Sequence, residues 1–436
     1  MADSGSGTGR VMTMEYTRRI VDGELDELFG EIPALALDGP KAVGKTTTAR
    51  QRVRTVVQLD RRAEAEPVAA DPSIILRRPE PVLLDEWQKL PAVWDVVRHT
   101  ADEDPRGGRF LFAGSASPQR GATAHSGAGR IGRLRMRPMT LSERGVVEPT
   151  VSLGGLLSGG EVRFAGDTTF ALADYVEEIC ASGFPGLRGL GARALRFQLE
   201  SYLRNAVDRE VAEQGLAVRR PEAMMAWLRA YAAATASTAS YSQILDAATP
   251  GESEKPARST ANSYRDALAS LWLLDPVPAW SPTGSLMKRL GASPKHHLAD
   301  PALAVRLLGL TAAALLDGEG KPLASATGGL LGSLFESLAT LCLRVPAQAA
   351  EAEVFHLRTR NGDHEVDLIV VRPDGRFLAV EVKLAATVED ADGKHLRWLR
   401  ERAGDRMLDA VIVNTGPHAY RRADGIGVVP LALVAP

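Results

Sequence analysis

Four short apolar runs mark the first third of the chain: ALALDG at 34–39, TVVQLD at 55–60, PVLLDE at 81–86 and RFLFAGS at 109–115. Each is rich in Val, Leu or Phe and runs into Asp, Gly or Ser, and longer stretches of helical character separate them. Continuous apolar strands alternating with helices predict a parallel sheet buried on both faces. VSLGGLLSGGEV (151–162) is Gly-rich and reads as a linker. Ala-rich helical sequence follows from Asp174 to Ala236, with breaks near GESEKPARS (251–259) and DGEGKPLASATGG (317–329). The pattern then changes to a helix LLGSLFESLATLCLRV (330–345) and three strands, EVFHLRT (353–359), HEVDLIVVR (364–372) and RFLAVEVKL (376–384). A helix KHLRWLRERAG (394–404) and a strand DAVIVNT (409–415) complete a second α/β module.

A chain of 436 residues is long enough for several domains. Aromatic residues make up only 5%, so Leu, Val and Ala must build the cores. Lys plus Arg total 52 against 54 acids, a net charge of -2, which excludes a globally basic nucleic-acid coat and leaves room for a local basic surface. Two distant cysteines, Cys180 and Cys342, exclude a disulfide scaffold and a CxxC zinc module; both are expected as reduced core thiols, as in a cytosol. The Gly/Ser-rich start has no apolar signal region, and no uninterrupted apolar run of about 18 residues appears, so a cytoplasmic chain without a membrane span is expected.

GPKAVGKT matches G-x-x-x-x-G-K-[ST] in full, between an apolar strand and a helix start. Gly39, Pro40, Lys41, Ala42, Val43 and Gly44 form a loop whose backbone N–H groups can face phosphate oxygens, with Thr47 just behind. Lys45 is placed to reach the β- and γ-phosphates of ATP, and Thr46 to hold Mg²⁺. About forty residues on, Asp85 ends an apolar strand where an acid completes the Mg²⁺ shell, and Glu86 is positioned to polarise the attacking water. Ser115, at the end of the next strand, is the candidate γ-phosphate sensor. Arg130 or Arg133 could serve as an arginine finger, in cis or from a neighbouring subunit. Alternation at Arg133, Arg135 and Arg137 equally fits an outward basic strand face, which leaves Arg130 the better finger candidate.

GPKAVGKT, VLLDEWQ, FLFAGSAS and GRIGRLRMRPMTLSE together resemble the bacterial and archaeal AAA-family ATPases, of the AAA+ superfamily, that carry a domain of unknown function 4143. ASGFPGL (181–187), SPKHHLADPALA (293–304) and LLGSLFESL (330–338) resemble signposts of that family's second half. The resemblance covers nearly the whole chain. It implies an α/β multidomain architecture: a parallel-sheet P-loop ATPase, a helical lid, a winged helix and a restriction-endonuclease-like α/β domain. The expected division is a flexible tail at 1–20, the ATPase at 21–150, the lid at 151–215, the winged helix at 216–320 and the nuclease-like domain at 325–436.

Residues 220–300 read independently as a helix-turn-helix. PEAMMAWLRAYAAAT and SYSQILDAA precede ARSTANSYRDALASLWLL (257–274), whose first turns carry Arg258, Ser259, Thr260, Asn262 and Arg265. There a recognition helix would touch phosphates and base edges, although the basic density is modest and the unit could equally link domains. Ser293, Lys295, His296 and His297 are assigned to the following strand; adjacent histidines have poor metal-ligand spacing and read as structural.

In the last module Asp367 lies in HEVDLIV, and Glu381 and Lys383 lie in AVEVKL. Strand alternation puts Glu381 and Lys383 on one face, a hairpin can bring Asp367 beside them, and Glu336 on the preceding helix can add a fourth polar group. Acids around a lysine suit Mg²⁺ or Mn²⁺, with Lys383 orienting or deprotonating water. The set resembles the PD-(D/E)xK nuclease core, with Val366 where the motif has Pro; His395 and Arg397 are weak candidates for DNA phosphate. The leading expectation is an ATP-hydrolysing AAA+ protein acting on DNA through a metal-dependent nuclease-like domain. The alternative is an ATP-dependent switch whose last domain binds DNA or protein without cutting, and a homo-oligomer would supply Arg130 in trans.

Overall fold

The computed structural model describes residues 16–114, 128–160, 162–213, 215, 220–249, 258–281, 292–317, 325–359 and 362–436. Ser115, most of the break at 251–259 and part of that at 317–329 lie outside these residues.

The apolar runs form a five-stranded sheet: β1 (Ala34–Asp38), β2 (Thr55–Gln58), β3 (Val82–Asp85), β4 (Phe110–Ala113) and β5 (Ile131–Arg135). All pairings are parallel and the order is β2-β3-β4-β1-β5. Side-chain alternation divides the strands between two cores. Ala34, Ala36, Val82, Leu84, Phe110 and Phe112 pack with Trp87 and Trp94 on one face. Leu35, Leu37, Leu83, Leu111 and Ala113 pack with Leu25 and Phe29 of α1 (Val21–Phe29) on the other. Around the sheet lie α2 (Lys45–Arg50), α3 (Arg62–Ala70) and α4 (Ala92–Glu103). Residues 16–20, read as tail, belong to this body, and Arg19 is only 5% exposed.

After α5 (Leu141–Arg144) the Gly-rich stretch read as a linker is built into the structure. It forms β6 (Val151–Ser152), paired in parallel with β13 (Val434–Ala435), and α6 (Leu153–Ser158), capped by the Ser152 hydroxyl. The reason is local: Leu153, Leu156 and Leu157 recur at helical spacing and are all buried, which outweighs the glycines. Helices α7 (Leu172–Ala181), α8 (Ala192–Asn205), α9 (Val211–Glu213), α10 (Pro221–Ala233), α11 (Tyr241–Ala248) and α12 (Arg258–Ser270) follow. Extended residues then form a two-stranded ladder through Leu274↔Leu298 and Val277↔Lys295, leading into α13 (Pro301–Leu307) and α14 (Ala312–Leu316).

The C-terminal module starts with α15 (Ser325–Ala349). Strands β7 (Glu353–Arg358), β8 (Glu365–Val371) and β9 (Phe377–Val382) form an antiparallel meander. After α16 (Lys394–Ala403), β10 (Met407–Asn414) pairs in parallel with β9, and β11 (Tyr420–Arg421) and β12 (Gly427–Pro430) finish a mixed sheet of order β11-β12-β10-β9-β8-β7. Leu331, Leu334, Phe335 and Leu338 of α15 pack with Leu368, Val370, Leu378 and Val380, while Leu396 and Leu399 of α16 pack with Ile369, Phe377 and Ala379. Part of α15, Gly329–Ala349, is apolar and long enough to cross a membrane by composition, although Glu336 and Arg344 interrupt its apolar run. Here 72% of its most apolar window is buried, and it is the spine of the largest core. The ladder joins this sheet beside β7, with Trp280 N–H donating to the His356 carbonyl and His356 N–H to that of Pro278.

Candidate functional site

The loop between β1 and α2 is shaped by close approach. Gly39 has φ +152, and a Cβ there would run into the Met136 carbonyl oxygen; Gly44 enters α2 at φ +108. Lys45 is the first residue of α2, and its Nζ donates to the carbonyls of Gly39 and Pro40, both at 2.8 Å. Burial pushes this ammonium down to about 8, against the pull of Glu86, Asp38 and Asp85. The Thr46 hydroxyl donates to Asp85 Oδ1 at 2.7 Å, and burial raises the Asp85 carboxyl despite that bond. Glu86 follows with φ +53, a left-handed turn out of the strand, and accepts from Gln88 Nε2 at 2.6 Å. The structure therefore brings Lys45, Thr46, Asp85 and Glu86 to one end of the sheet. Val43 and Lys45 are buried while Lys41, Ala42 and Thr47 are exposed.

Three contacts around this loop were not anticipated. Arg19 donates to the Val43 carbonyl (3.1 Å), the Arg137 carbonyl (2.8 Å) and Glu143 (2.9 Å), fixing the loop from beneath. Lys41 pairs with Glu210 at 3.2 Å, and the Tyr202 hydroxyl donates to the Lys41 carbonyl at 3.3 Å, so the helical segment after α7 reaches the loop. The ASGFPGL segment closes on the same region: its Gly183 carbonyl accepts from Met139 N–H, and Asp300 accepts from both Ser182 and Gly183.

The arginines divide differently from the sequence reading. Ala34 pairs with Ile131 and Asp38 with Arg135, so Arg130, just before β5, lies at the end of the sheet remote from Gly39. It forms an ion pair with Asp102 at 2.7 Å. A finger reaching the loop of its own chain is therefore not available from Arg130. Arg133 Nε donates to Asp38 at 2.6 Å. Arg135 and Arg137 do share a strand face, but the middle of the chain covers it: Asp275, at the start of the ladder, lies 3.0 Å from Arg135, 2.8 Å from Arg137 and 2.7 Å from Arg344 of α15. Burial opposes ionisation of Asp275, and the three guanidiniums overcome it and hold the carboxyl well below the usual range.

On α12, Ser259 and Asn262 are exposed, whereas Arg265 donates to Asp266 and lies over the Tyr241 ring. The Arg258 side chain lies outside the described residues. His296 and His297 are buried, and burial depresses both; His296 packs between Tyr231 and Tyr241.

In the C-terminal module Asp367 sits in a β-bulge. Phe355 pairs with Ile369 and Leu357 with Val366, so Asp367 and Leu368 of β8 oppose His356 alone on β7. Asp367 lies one position beyond the Leu368↔Val380 pair, opposite Glu381 on β9. Its Oδ2 accepts from Val382 N–H at 2.9 Å, and it shares a side-chain hydrogen bond with Glu381. Lys383 Nζ is 4.0 Å from Glu381 and 3.8 Å from Asp392. Lys295, read as a residue of a middle strand, completes the cluster: its Nζ lies 2.8 Å from Glu336, 3.0 Å from Asp367 and 3.3 Å from Glu365. Burial and the Asp367 charge push Glu381 well up. Burial also lifts Glu336, to about 8. Burial opposes ionisation of Asp367 too, but Lys295 and the bonds from Glu381 and Val382 hold it down at about 2. His395 interacts with His364, and Arg397 is paired with Asp424 and Asp390. Among the described residues no group of three or more His, Cys, Asp or Glu is arranged to hold a metal ion.

Residues 31–144, which contain the loop, Asp85 and Glu86, match the AAA domain family. The chain carries an AAA domain. Residues 331–434 match the domain of unknown function 4143, and residues 172–314 match the domain of unknown function 8612. Over 434 residues the chain is 28% identical to an uncharacterized protein of Mycobacterium tuberculosis and to one of Mycobacterium bovis, taking in 97% of this chain and 86% of each relative. The Walker-type ATPase PABY2304 of Pyrococcus abyssi is 15% identical with a TM-score of 0.41, covering 67% of this chain and 96% of that one.

Proposed function

We propose that this AAA protein binds and hydrolyses ATP at residues 39–47, and that the cycle acts as a switch on the middle and C-terminal modules. The observation that carries the reading is the Thr46 hydroxyl donating to Asp85 at 2.7 Å with Glu86 adjacent. A hydroxyl and a carboxylate facing each other behind the loop fit a Mg²⁺ site, and the tight Gly39 and Gly44 turns fit a phosphate cradle. Mg²⁺, when bound with ATP, neutralises phosphate charge. Lys45 exchanges its loop carbonyls for phosphate oxygens, and Glu86 takes a proton from water. Arg19 supports the switch, because one guanidinium bonds both the Val43 carbonyl in the loop and the Arg137 carbonyl, whose side chain grips Asp275.

In this reading the winged-helix-like middle and the nuclease-like last module bind a DNA or protein partner in the cytoplasm without cutting it. Hydrogen exchange of residues 273–281 with and without ATP tests the switch. Exchange that changes with ATP and stays constant in Lys45→Ala supports it; no change in the wild type refutes it.

A second reading, ATP-gated DNA cleavage, is favoured by the Asp367–Glu381 pair with Lys383 beside it. It calls for Mg²⁺ or Mn²⁺ at Glu336, Asp367 and Glu381, and for a homo-oligomer if Arg130 acts in trans. Cleavage of linear or branched DNA that disappears in Lys383→Ala is the result it requires.

A further inference from the structure

We infer that Lys295 is the resident cation of the C-terminal acid cluster, filling the role a divalent metal would have there. As folded, the cluster therefore takes up neither Mg²⁺ nor Mn²⁺. This goes beyond the ATP reading and stands whether or not the phosphate loop hydrolyses nucleotide.

An ammonium has three N–H donors, and Lys295 Nζ has three carboxyl groups within 3.3 Å to accept them, on Glu336, Glu365 and Asp367. The cluster's charge requirement is met by a group of the chain itself. The side chain is 1% exposed, so the ammonium is held inside the protein.

Lys295 is fixed through its backbone, with N–H to the Val277 carbonyl at 2.9 Å and carbonyl to Val277 N–H at 2.8 Å. The backbone of Lys295 is therefore held in the ladder that also adds to the edge of the C-terminal sheet at His356, which delivers its side chain to the cluster.

The remaining oxygens argue the same way. Mg²⁺ and Mn²⁺ need several anionic or carbonyl oxygens close around the ion. Asp367 spends one oxygen on Val382 N–H and one on Lys295. A divalent ion among these groups would sit against an ammonium with which it shares ligands, and like charges so close repel. The nuclease-like acids are present, but the set does not fit a metal while Lys295 is in it.

Mn²⁺ uptake by the nucleotide-free full chain, read from loss of the free-ion EPR signal, tests this. All proteins carry Asp85→Asn to silence the phosphate-loop metal. With Lys295 present, uptake is expected to be the same with and without Asp367→Asn. Lys295→Met is expected to gain one Mn²⁺ per chain, at least tenfold tighter than the background, and to lose it again in Lys295→Met/Asp367→Asn. Asp367-dependent Mn²⁺ binding with Lys295 in place would overturn the inference, as would a folded Lys295→Met protein that gains no site. Should Lys295→Met fail to fold, Lys295→Arg keeps the cation. No Asp367-dependent uptake by that variant and by the Lys295 protein then supports the inference, and such uptake by either overturns it.

Discussion

Arg137 Nε donates to Asp275 at 2.8 Å, joining the strand beside the phosphate loop to the ladder that carries Lys295. Arg135 and Arg344 complete the ring around that carboxylate, so one buried acid holds three guanidiniums from two modules. Removing it strands their charge. Asp275→Ala is therefore expected to cost about 3–5 kcal/mol of stability, measured by urea unfolding. A loss below about 1 kcal/mol would mean the ring is dispensable.

The Lys41–Glu210 contact differs in scale. Lys41 is 55% exposed at its side chain, and an ion pair in water is worth about 1 kcal/mol or less. Glu210→Gln is expected to leave stability unchanged within error and to shift ATP affinity less than about fivefold. A larger shift by isothermal titration would make this helical contact part of the nucleotide site.

Glu336 sets a pH dependence. Its folded value, near 8, lies above the ordinary 4.5, so the folded chain holds a proton there that the unfolded chain has released. That contribution is complete below about 4.5 and declines as pH rises through 8. Relative to Glu336→Gln, the wild type should lose up to about 1.4 kcal/mol per pH unit across that window. Parallel stability curves for the two proteins between pH 5 and 8 would contradict the assignment.

Gly39 leaves no room for substitution. Its φ of +152 and the Met136 carbonyl beside it mean that Gly39→Ala must displace the backbone that follows β5. ATP binding is expected to fall at least tenfold. Binding at the wild-type level would show that the loop tolerates that displacement.

What the sequence disclosed was local. The phosphate loop, Asp85 and Glu86 lie within single strands and turns, and the Asp367–Glu381–Lys383 set spans two consecutive strands, where pattern and spacing are visible. The parallel and mixed sheets followed from runs of apolar residues. Arg19, Asp275 and Lys295 act across 118, 138 and 72 residues of chain, to Arg137, from Arg137 and to Asp367. No periodicity encodes such partners. Lys295 left one trace, a charge enclosed between Pro294 and the apolar Leu298–Ala299. The expected linker failed because three leucines outweigh glycine once a partner surface is present. Arg130 looked suitable by composition, and only the strand register revealed which end of the sheet it occupies.

The most direct test of the account is phosphate release from ATP by the wild type and by Glu86→Gln, with nucleotide binding measured on the same samples. Hydrolysis by the wild type is expected, with a fall of about 100-fold or more in the variant and ATP binding retained. Equal rates in the two proteins, or no hydrolysis by a wild type that binds ATP, would contradict it.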